Sequence, residues 1–364
     1  MNTKGAGNWK LTRRAVLGHM AGAGSLLAMP SIVRASEKLG GELYFETFGG
    51  AYAEAVKTYI IDPFEERYGV KVRVTNFGSG GEQLAKVQAS NDRIDVTSLN
   101  GSRIYAAIKN GSLLPLDLVQ IPNFADQHPN FQKPAYEVGD GNNYSSALVW
   151  GDTAIAYNTD FVKEMPTSWD DFMRPEVKGR TALFSSAMSL VHLGALMTGQ
   201  NINDIQDLAA VESKLMELKP QLLKFWSSGS ENTQLFATGE IWLANFWRGR
   251  VNKLREEGHP IQYTVPKEGA VAWVDCMVIP KTCQNKQAAE AFINMTLDPE
   301  IQKNFVTEGI TYAPSNVEVK LTPEEQQKLG ASPEIFETAK FVDSAYVAAN
   351  QDQWNLLANR VKAS

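Results

Sequence analysis

Trp273 and Asp275 stand two positions apart in a stretch, residues 270–279, with the apolar character of a β-strand. Side chains two apart on a strand point to the same face. A carboxylate beside an indole ring suits an ammonium group, because the acid pairs with its charge and the ring face attracts the cation. The pair therefore indicates an amine-binding site. The alternative is that Trp273 packs in a core and Asp275 caps the end of the strand.

Signatures of catalysis are mostly absent from the chain. There is no G-x-S-x-G elbow, no P-loop, no G-x-G-x-x-G after a strand and no H-E-x-x-H. His128, His192 and His259 are too widely spaced to indicate a zinc site. Asp275 and Cys276 are neighbours, so on a strand their side chains point to opposite faces and do not cooperate. We therefore expect an exported binding protein without catalytic residues, metal or cofactor.

Residues 1–35 have the pattern of an export signal. A positive segment is followed by a weakly apolar run, residues 15–29, and by small residues at a cleavage position, residues 33–35. The pair Arg13-Arg14 and the Gly- and Ala-rich run favour the twin-arginine type over an ordinary signal that carries two arginines. No cysteine lies near the cleavage point, so no lipid anchor is expected there. The predicted location is the periplasm.

Composition and charge exclude two classes of protein. The 364 residues are 43% hydrophobic and 21% charged, which is typical of globular chains and long enough for two domains. No run of 18 apolar residues follows the signal, so stable membrane insertion is not expected. The net charge is -6, and without the five basic residues of the signal 30 basic residues face 41 acidic ones, or -11. Nucleic-acid binding needs a basic surface and is not expected.

The two cysteines, Cys276 and Cys283, flank an apolar stretch that looks like a strand. Seven residues of extended chain span about 23 Å, whereas a disulfide needs Cα atoms within about 7 Å. We predict that the two are unpaired and serve as small buried hydrophobic residues.

Strand-like and helix-like segments alternate along the mature chain, which predicts an α/β fold with loops gathered at the carboxyl ends of the strands. The predicted strands are residues 41–48, 70–74, 94–99, 147–150, 154–157, 181–184, 241–247 and 270–279. The predicted helices are residues 51–67, with a kink at Pro63, about 82–89, 190–197, 208–226, 286–297, and several from 322 to 364.

The order of these segments resembles the periplasmic solute-binding proteins of ABC importers, and within them the spermidine/putrescine-binding branch. The resemblance covers residues 36–364. Its most specific segments are residues 150–158, WGDTAIAYN, and residues 266–275, PKEGAVAWVD. It implies a bilobal type II periplasmic binding protein fold, two α/β lobes with a ligand cleft at the hinge. We expect lobe 1 to comprise residues 36–147 plus 265–311, and lobe 2 residues 148–264 plus 312–364.

The resemblance also implies which residues border the cleft. Most of them follow strands or lie where the chain crosses between lobes. The expected ligand-binding residues are Phe48, Gly50, Tyr52, Ser79, Ser102, Trp150, Asp152, Ser185, Trp247, Arg250, Trp273, Asp275 and Tyr312. For Trp247 the alternative is plain core packing, and for Ser79 and Ser102 a structural role in loops or helix caps.

Two positions depart from the polyamine-binding branch. Ser185 and Arg250 stand where that branch places acidic residues, so a multiply charged polyamine has fewer carboxylates to meet. The remaining acids, Asp275 and the candidates Asp152 and Glu82, suit a smaller ligand that is either mono-cationic or carries both an amine and an acid. Arg248 and Arg250 face the cleft or are solvated surface residues. The expected partners are the ligand and the membrane subunits of an importer, and the expected state is a monomer.

Two other functions remain as alternatives on the same fold. A ferric-ion-binding transport protein would use adjacent tyrosines, and the sequence has no Tyr-Tyr pair. A thiaminase-like enzyme would need a cysteine nucleophile, for which Cys276 is the candidate. Its place in an apolar strand without a neighbouring histidine argues against an activated thiolate.

Overall fold

A computed structural model describes residues 38–137 and 141–364. The predicted export signal, residues 1–35, lies outside the described residues. Lys38–Ser364 form one compact unit. None of the described helices combines the length and the apolar character needed to cross a membrane.

The strands alternate with helices as the sequence predicts. They are β1 Glu42–Phe48, β2 Lys71–Phe77, β3 Val96–Asn100, β4 Leu113–Leu114, β5 Ser145–Asn158, β6 Thr181–Phe184, β7 Leu222–Trp226, β8 Leu243–Trp247, β9 Ile261–Thr264, β10 Val271–Pro280, β11 Ala313–Pro314 and β12 Lys340–Phe341. The α/β class is confirmed.

The main sheet has the strand order β2-β1-β3-β10-β5-β8-β6-β7. Strands β1, β2 and β3 are parallel, and so are β6, β7 and β8. Between these two groups lie the long strands β5 and β10, which run antiparallel to each other and to their neighbours β8 and β3. The short strands β4 and β12 pair with β10, and β9 and β11 pair with β5.

Helices fill the connections between the strands. They are α1 Ala51–Val56, α2 Asp62–Tyr68, α3 Gly80–Ala89, α4 Gly101–Lys109, α5 Pro129–Gln132, α6 Ala187–Met197, α7 Leu208–Leu218, α8 Gly229–Ala237, α9 Arg248–Glu256, α10 Lys286–Thr296, α11 Pro299–Asn304, α12 Pro323–Leu329, α13 Pro333–Thr338 and α14 Ser344–Ala363. Two π-helical turns, Lys57–Ile61 and Phe305–Ile310, extend α1 and α11.

Parallel strands end at one edge of a sheet, so the loops that follow them gather there. In the first group the loop after β1 carries Gly50, the loop after β2 carries Ser79, and α4 begins directly after β3. In the second group Ser185 follows β6 and α9 begins directly after β8. The last residue of β3, Asn100, pairs with Asp275 of β10, and the last residue of β8, Trp247, pairs with Thr153 of β5. The topology thus brings residues from distant parts of the sequence to the middle of β5 and β10.

The structure corrects two of the predicted segments and refines a third. Residues 147–150 and 154–157 belong to the single strand β5, which continues through Gly151. The predicted helix 208–226 ends at Leu218, because Pro220 lacks an N–H for the ladder and forms a 3₁₀ turn, after which β7 begins. At the predicted kink, the π-helical turn precedes Pro63 and the Asp62 N–H donates to the Lys57 carbonyl oxygen.

The prediction that the two cysteines are unpaired is confirmed, and Cys276 is buried as expected, whereas Cys283 is only half-buried. Cys276 and Cys283 are free, and the Cys276 thiol lies fully buried 3.2 Å from the Tyr136 hydroxyl oxygen. Burial raises the pKa of the Cys276 thiol far above its usual range, and it raises that of Cys283 to about 12. Both thiols are therefore unreactive at neutral pH.

Candidate functional site

Trp273 and Asp275 share one face of β10, as the sequence predicts. Trp273 and Met277 pack against one apolar cluster, whereas Val274 and Cys276 belong to another, so successive side chains alternate between the faces. Asp275, between positions 273 and 277, points to the Trp273 side. The same alternation separates Asp275 from the Cys276 thiol, which confirms that the two do not form a cooperating pair.

Asp275 is a buried carboxylate held in place by the last residue of β3. It is 8% exposed, and its Oδ1 accepts a hydrogen bond of 3.1 Å from the Asn100 side-chain amide. Asn100 Oδ1 in turn accepts from the Ser102 hydroxyl at 2.8 Å and from the Ser102 N–H at 3.1 Å. Burial raises the pKa of Asp275 to about 6, against the lowering effects of Asn100 and Arg103. The group is ionised at neutral pH and poorly solvated, so it favours a cation as its partner.

Three buried polar groups lie on the elements around Asp275 without a hydrogen-bond partner among the described residues. They are the Tyr52 hydroxyl, the Ser98 hydroxyl and the Trp273 indole N–H. Burial and the negative charge of Asp275 raise the pKa of Tyr52. A buried polar group without a partner costs free energy, so the Trp273 N–H in particular is available to a polar ligand, whereas the Ser98 hydroxyl lies near enough to Tyr52 to lower its pKa.

Aromatic rings line the same region. The Trp273 and Tyr312 rings meet edge to face, with centroids 4.8 Å apart. Gly151 lies opposite Trp273 on β5, and a Cβ there would lie 2.5 Å from the indole Cζ2. The glycine thus leaves the space that the Trp273 ring occupies. Phe48 packs edge-on against Tyr52, with centroids 5.4 Å apart.

Tyr312 connects this region to the helix that follows β8. Burial raises the pKa of Tyr312 to about 12, although the Arg250 guanidinium lowers it, and the charge of Asp275 raises it further. Arg250 is half-buried in the first turn of α9 and has no carboxylate partner among the residues that the structure describes. Its Nε would lie 3.3 Å from a Cβ at Gly229.

Trp247 is the last residue of β8 and Ser185 directly follows β6, both in the second group of parallel strands. The Trp247 ring is partly buried among other aromatic rings, with the centroids of Trp226 and Phe184 at 5.2 and 5.7 Å. This packing fits both roles considered for Trp247, a residue of the core and a residue that borders the cleft. The Ser185 N–H donates to the Trp226 carbonyl oxygen at 2.9 Å, and its hydroxyl forms no hydrogen bond within the described residues.

Asp152 does not offer a free carboxylate, contrary to expectation. Both its oxygens accept from Arg248, at 3.1 Å from Nε and 2.6 Å from Nη2. The Asp152 side chain is 3% exposed and that of Arg248 12%. The Arg248 guanidinium also lies over the Tyr263 ring, 4.4 Å from its centroid. The two opposite charges therefore cancel each other inside the protein. Arg248 is not a solvated surface residue.

Trp150 lies on the other face of β5 from the candidate site. Its ring packs against Phe336 and Phe341, with centroids 5.0 and 5.9 Å away, and it shares a cluster with Val274. The structure therefore does not bring the Trp150 side chain together with those of Trp273 and Asp275.

Three further predicted residues have structural roles in their loops. Ser79 caps α3, accepting from the Glu82 N–H at 3.2 Å, and Glu82 accepts from the Gly78 N–H at 2.9 Å. Ser102 orients Asn100 rather than standing free. Gly50 has φ +68° and ψ −147°, a conformation that residues with a Cβ avoid, and it starts α1.

Sequence reasoning missed two residues of the site, Asn100 and Arg103. The Arg103 guanidinium lies against Gly80, where a Cβ would be 2.9 Å from its Cζ, and its charge lowers the pKa of Asp275. It forms no ion pair with a described carboxylate. The sequence signal was present, since both residues flank the Gly101-Ser102 turn after a predicted strand. Their relation to Asp275 depends on the pairing of β3 with β10.

Metal ligands do not gather among the described residues: no group of three His, Cys, Asp or Glu side chains there is placed to hold a metal ion.

Known proteins resemble this chain along most of its length. A family model described as bacterial extracellular solute-binding protein matches residues 59–334. Spermidine/putrescine-binding periplasmic protein 1 of Haemophilus influenzae is 30% identical over 302 residues, which cover 81% of this chain and 81% of that protein.

Two crystal structures have a similar fold. The spermidine/putrescine ABC transporter substrate-binding protein PotD from Streptococcus pneumoniae has a TM-score of 0.72 and 25% identity, covering 87% of this chain and 99% of that chain. The binding protein MotA from A. tumefaciens B6, in complex with glucopine, has a TM-score of 0.77 and 24% identity, covering 88% and 99%. The expected bilobal type II periplasmic binding protein fold is thereby confirmed.

Proposed function

The chain belongs to the family of bacterial extracellular solute-binding proteins, and from that premise we propose that it captures a small amine-containing solute in the periplasm and delivers it to an ABC importer. The relatives' names include spermidine and putrescine as ligands. An amine is also the chemistry that the candidate site itself supports.

The main support for the proposal is that Asp275 is a buried carboxylate without an ion-pair partner among the described residues. Its carboxylate is buried, ionised at neutral pH and without an ion pair to any described side chain. Trp273 stands beside it with an unpartnered indole N–H, and Tyr312 packs against the indole. An ammonium group would pair with the carboxylate and lie against an aromatic face, which stabilises it on both counts.

Delivery requires that ligand binding changes the protein's shape. We propose lobes of residues 36–147 plus 265–311 and 148–264 plus 312–364, joined at β5 and β10. The ligand would favour the closed form by binding it more tightly than the open one. The importer's membrane subunits would then dock on both lobes of a monomer, and no step of this cycle requires catalysis by the chain.

The periplasmic location agrees with the relatives' names. For the route of export we propose the twin-arginine pathway, on the evidence of Arg13 and Arg14.

A thermal-shift panel on the chain without residues 1–35 tests the function. The panel contains putrescine, spermidine, 4-aminobutyrate, other amino acids, betaines and simple carboxylates. A ligand at a hundred times its Kd adds about 2.7 kcal/mol of stability, so an amine that binds raises the midpoint clearly. Asp275→Asn should lose that shift. If no amine raises the midpoint of the wild-type protein, the proposed ligand class is wrong.

A further inference from the structure

The positive and negative side chains around Asp275 are unequal in number. Those that the contacts connect to the site are Asp152, Asp275, Arg103, Arg248 and Arg250. Asp152 and Arg248 form a two-point ion pair and cancel each other. This leaves one carboxylate, Asp275, and two guanidinium groups, Arg103 and Arg250, without ion pairs to any described residue.

The two free guanidinium groups flank the site on different elements. Arg103 belongs to α4, beside β3, and its charge acts on Asp275 directly. Arg250 belongs to α9, beside β8, and acts on Tyr312. The negative charge of Asp275 also raises the pKa of Tyr312. A Cβ at Gly249, in the first turn of α9, would lie 2.6 Å from Tyr312 Cε1, and the Tyr312 ring also meets that of Trp273 on β10. Tyr312 therefore packs both against the helix turn that carries Arg250 and against the strand face that carries Asp275.

Such a site suits a ligand with opposite charges at its two ends. A diamine would place its second ammonium group toward Arg250, where the described carboxylate that acts on Tyr312, Asp152, is already paired with Arg248. Like charges in a partly buried site repel strongly, because water screens them poorly. A carboxylate at that end would instead accept two hydrogen bonds from a guanidinium, the geometry that arginine favours.

We infer that the solute carries a carboxylate as well as its amine, with the amine at Asp275 and the carboxylate at Arg250. This inference rests on the proposed function and narrows its ligand class to amino acids and related zwitterions. Arg103 remains beside Asp275, where its positive charge limits the amine end to a single ammonium group.

Three series of compounds with matched chain length test the inference by calorimetric titration. They are ω-amino acids, n-alkylamines and α,ω-diamines of two to six carbons. In the wild-type protein at least one ω-amino acid should bind tenfold or more tightly than the alkylamine and the diamine of the same length. In Arg250→Gln the advantage over the alkylamine should disappear, while the affinity for the alkylamine stays the same. Arg255→Gln, an exposed position on the same helix, is the matched control and should leave all three series unchanged.

The other outcomes separate the inference from the function. If a diamine binds more tightly than every ω-amino acid, the inference that the solute carries a carboxylate is wrong, while the proposed binding of an amine-containing solute is supported. If Arg250→Gln keeps the preference for ω-amino acids and an unchanged melting midpoint, the assignment of the carboxylate to Arg250 is wrong. If none of the series binds, a carboxylate at Arg250 with an amine of this length at Asp275 is wrong, and if no amine of the thermal-shift panel binds either, the proposed function fails as well.

Discussion

The Asn100 side-chain amide donates a hydrogen bond of 3.1 Å to the Asp275 carboxylate, although 175 positions separate the two residues in the chain. Asn100 also accepts two hydrogen bonds from Ser102, which fix its amide group. The pairing of β3 with β10 sets Asn100 directly opposite Asp275. The orientation of the candidate ligand-binding carboxylate therefore depends on the turn that starts α4.

Acidification should weaken ligand binding through Asp275. Its folded pKa is about 6, so the carboxylate is ionised at pH 7.5 and mostly protonated at pH 5. The protonated group cannot pair with an ammonium ion, so Kd should rise about tenfold for each pH unit below 6. Calorimetry between pH 5 and 8 measures this. Asp275→Asn should bind weakly at every pH, and a wild-type affinity that is equal at pH 5 and 7.5 would contradict the assignment.

Removing the Asn100 side-chain amide should shift the pH dependence of ligand binding to higher pH. The hydrogen bond from Asn100 lowers the pKa of Asp275 against the effect of burial, so Asn100→Ala should shift the midpoint of the binding profile to higher pH. The variant should also lose about 1 kcal/mol of stability, because Asn100 caps α4. A profile with an unchanged midpoint would show that Asn100 acts only as a cap. Asn110→Ala, at the other end of the same helix, is the control.

A methyl group at Gly151 should displace the Trp273 ring. A Cβ there would lie 2.5 Å from the indole, closer than real Cβ contacts. We expect Gly151→Ala to weaken amine binding by about tenfold or more, since the ring contributes roughly 1–2 kcal/mol to a desolvated cation. The control is Gly81→Ala, where the nearest atom outside the backbone neighbours is 3.9 Å away. Equal affinity in both variants would exclude Trp273 from the site.

Much of this arrangement could be predicted from sequence, because it follows from local periodicity. Alternation along residues 270–279 correctly placed Trp273 and Asp275 on one face, and the apolar run at residues 181–184 coincides with β6. The pairing of Asp152 with Arg248 was not predictable in this way, because the two residues lie 96 positions apart and meet only through the pairing of β5 with β8. Arg103 was missed for the same reason.

The Asp152–Arg248 pair should govern stability rather than ligand choice. Asp152→Asn leaves a guanidinium that is 12% exposed without its counter-charge, which should cost about 3–5 kcal/mol of unfolding free energy. Replacing Arg248 by Met in the same chain should recover most of that loss. Urea denaturation of the two variants and the wild-type protein measures it. If Asp152→Asn keeps its stability but loses amine binding, Asp152 is a ligand-binding residue after all.

The most direct test is a crystal structure of the protein with the amine that gives the largest thermal shift. We expect the ammonium nitrogen to lie about 3 Å from an Asp275 carboxylate oxygen and within about 6 Å of the Trp273 ring centre. A carboxylate on the same ligand should contact Arg250. An amine bound elsewhere, with Asp275 still paired only to Asn100, would contradict this expectation.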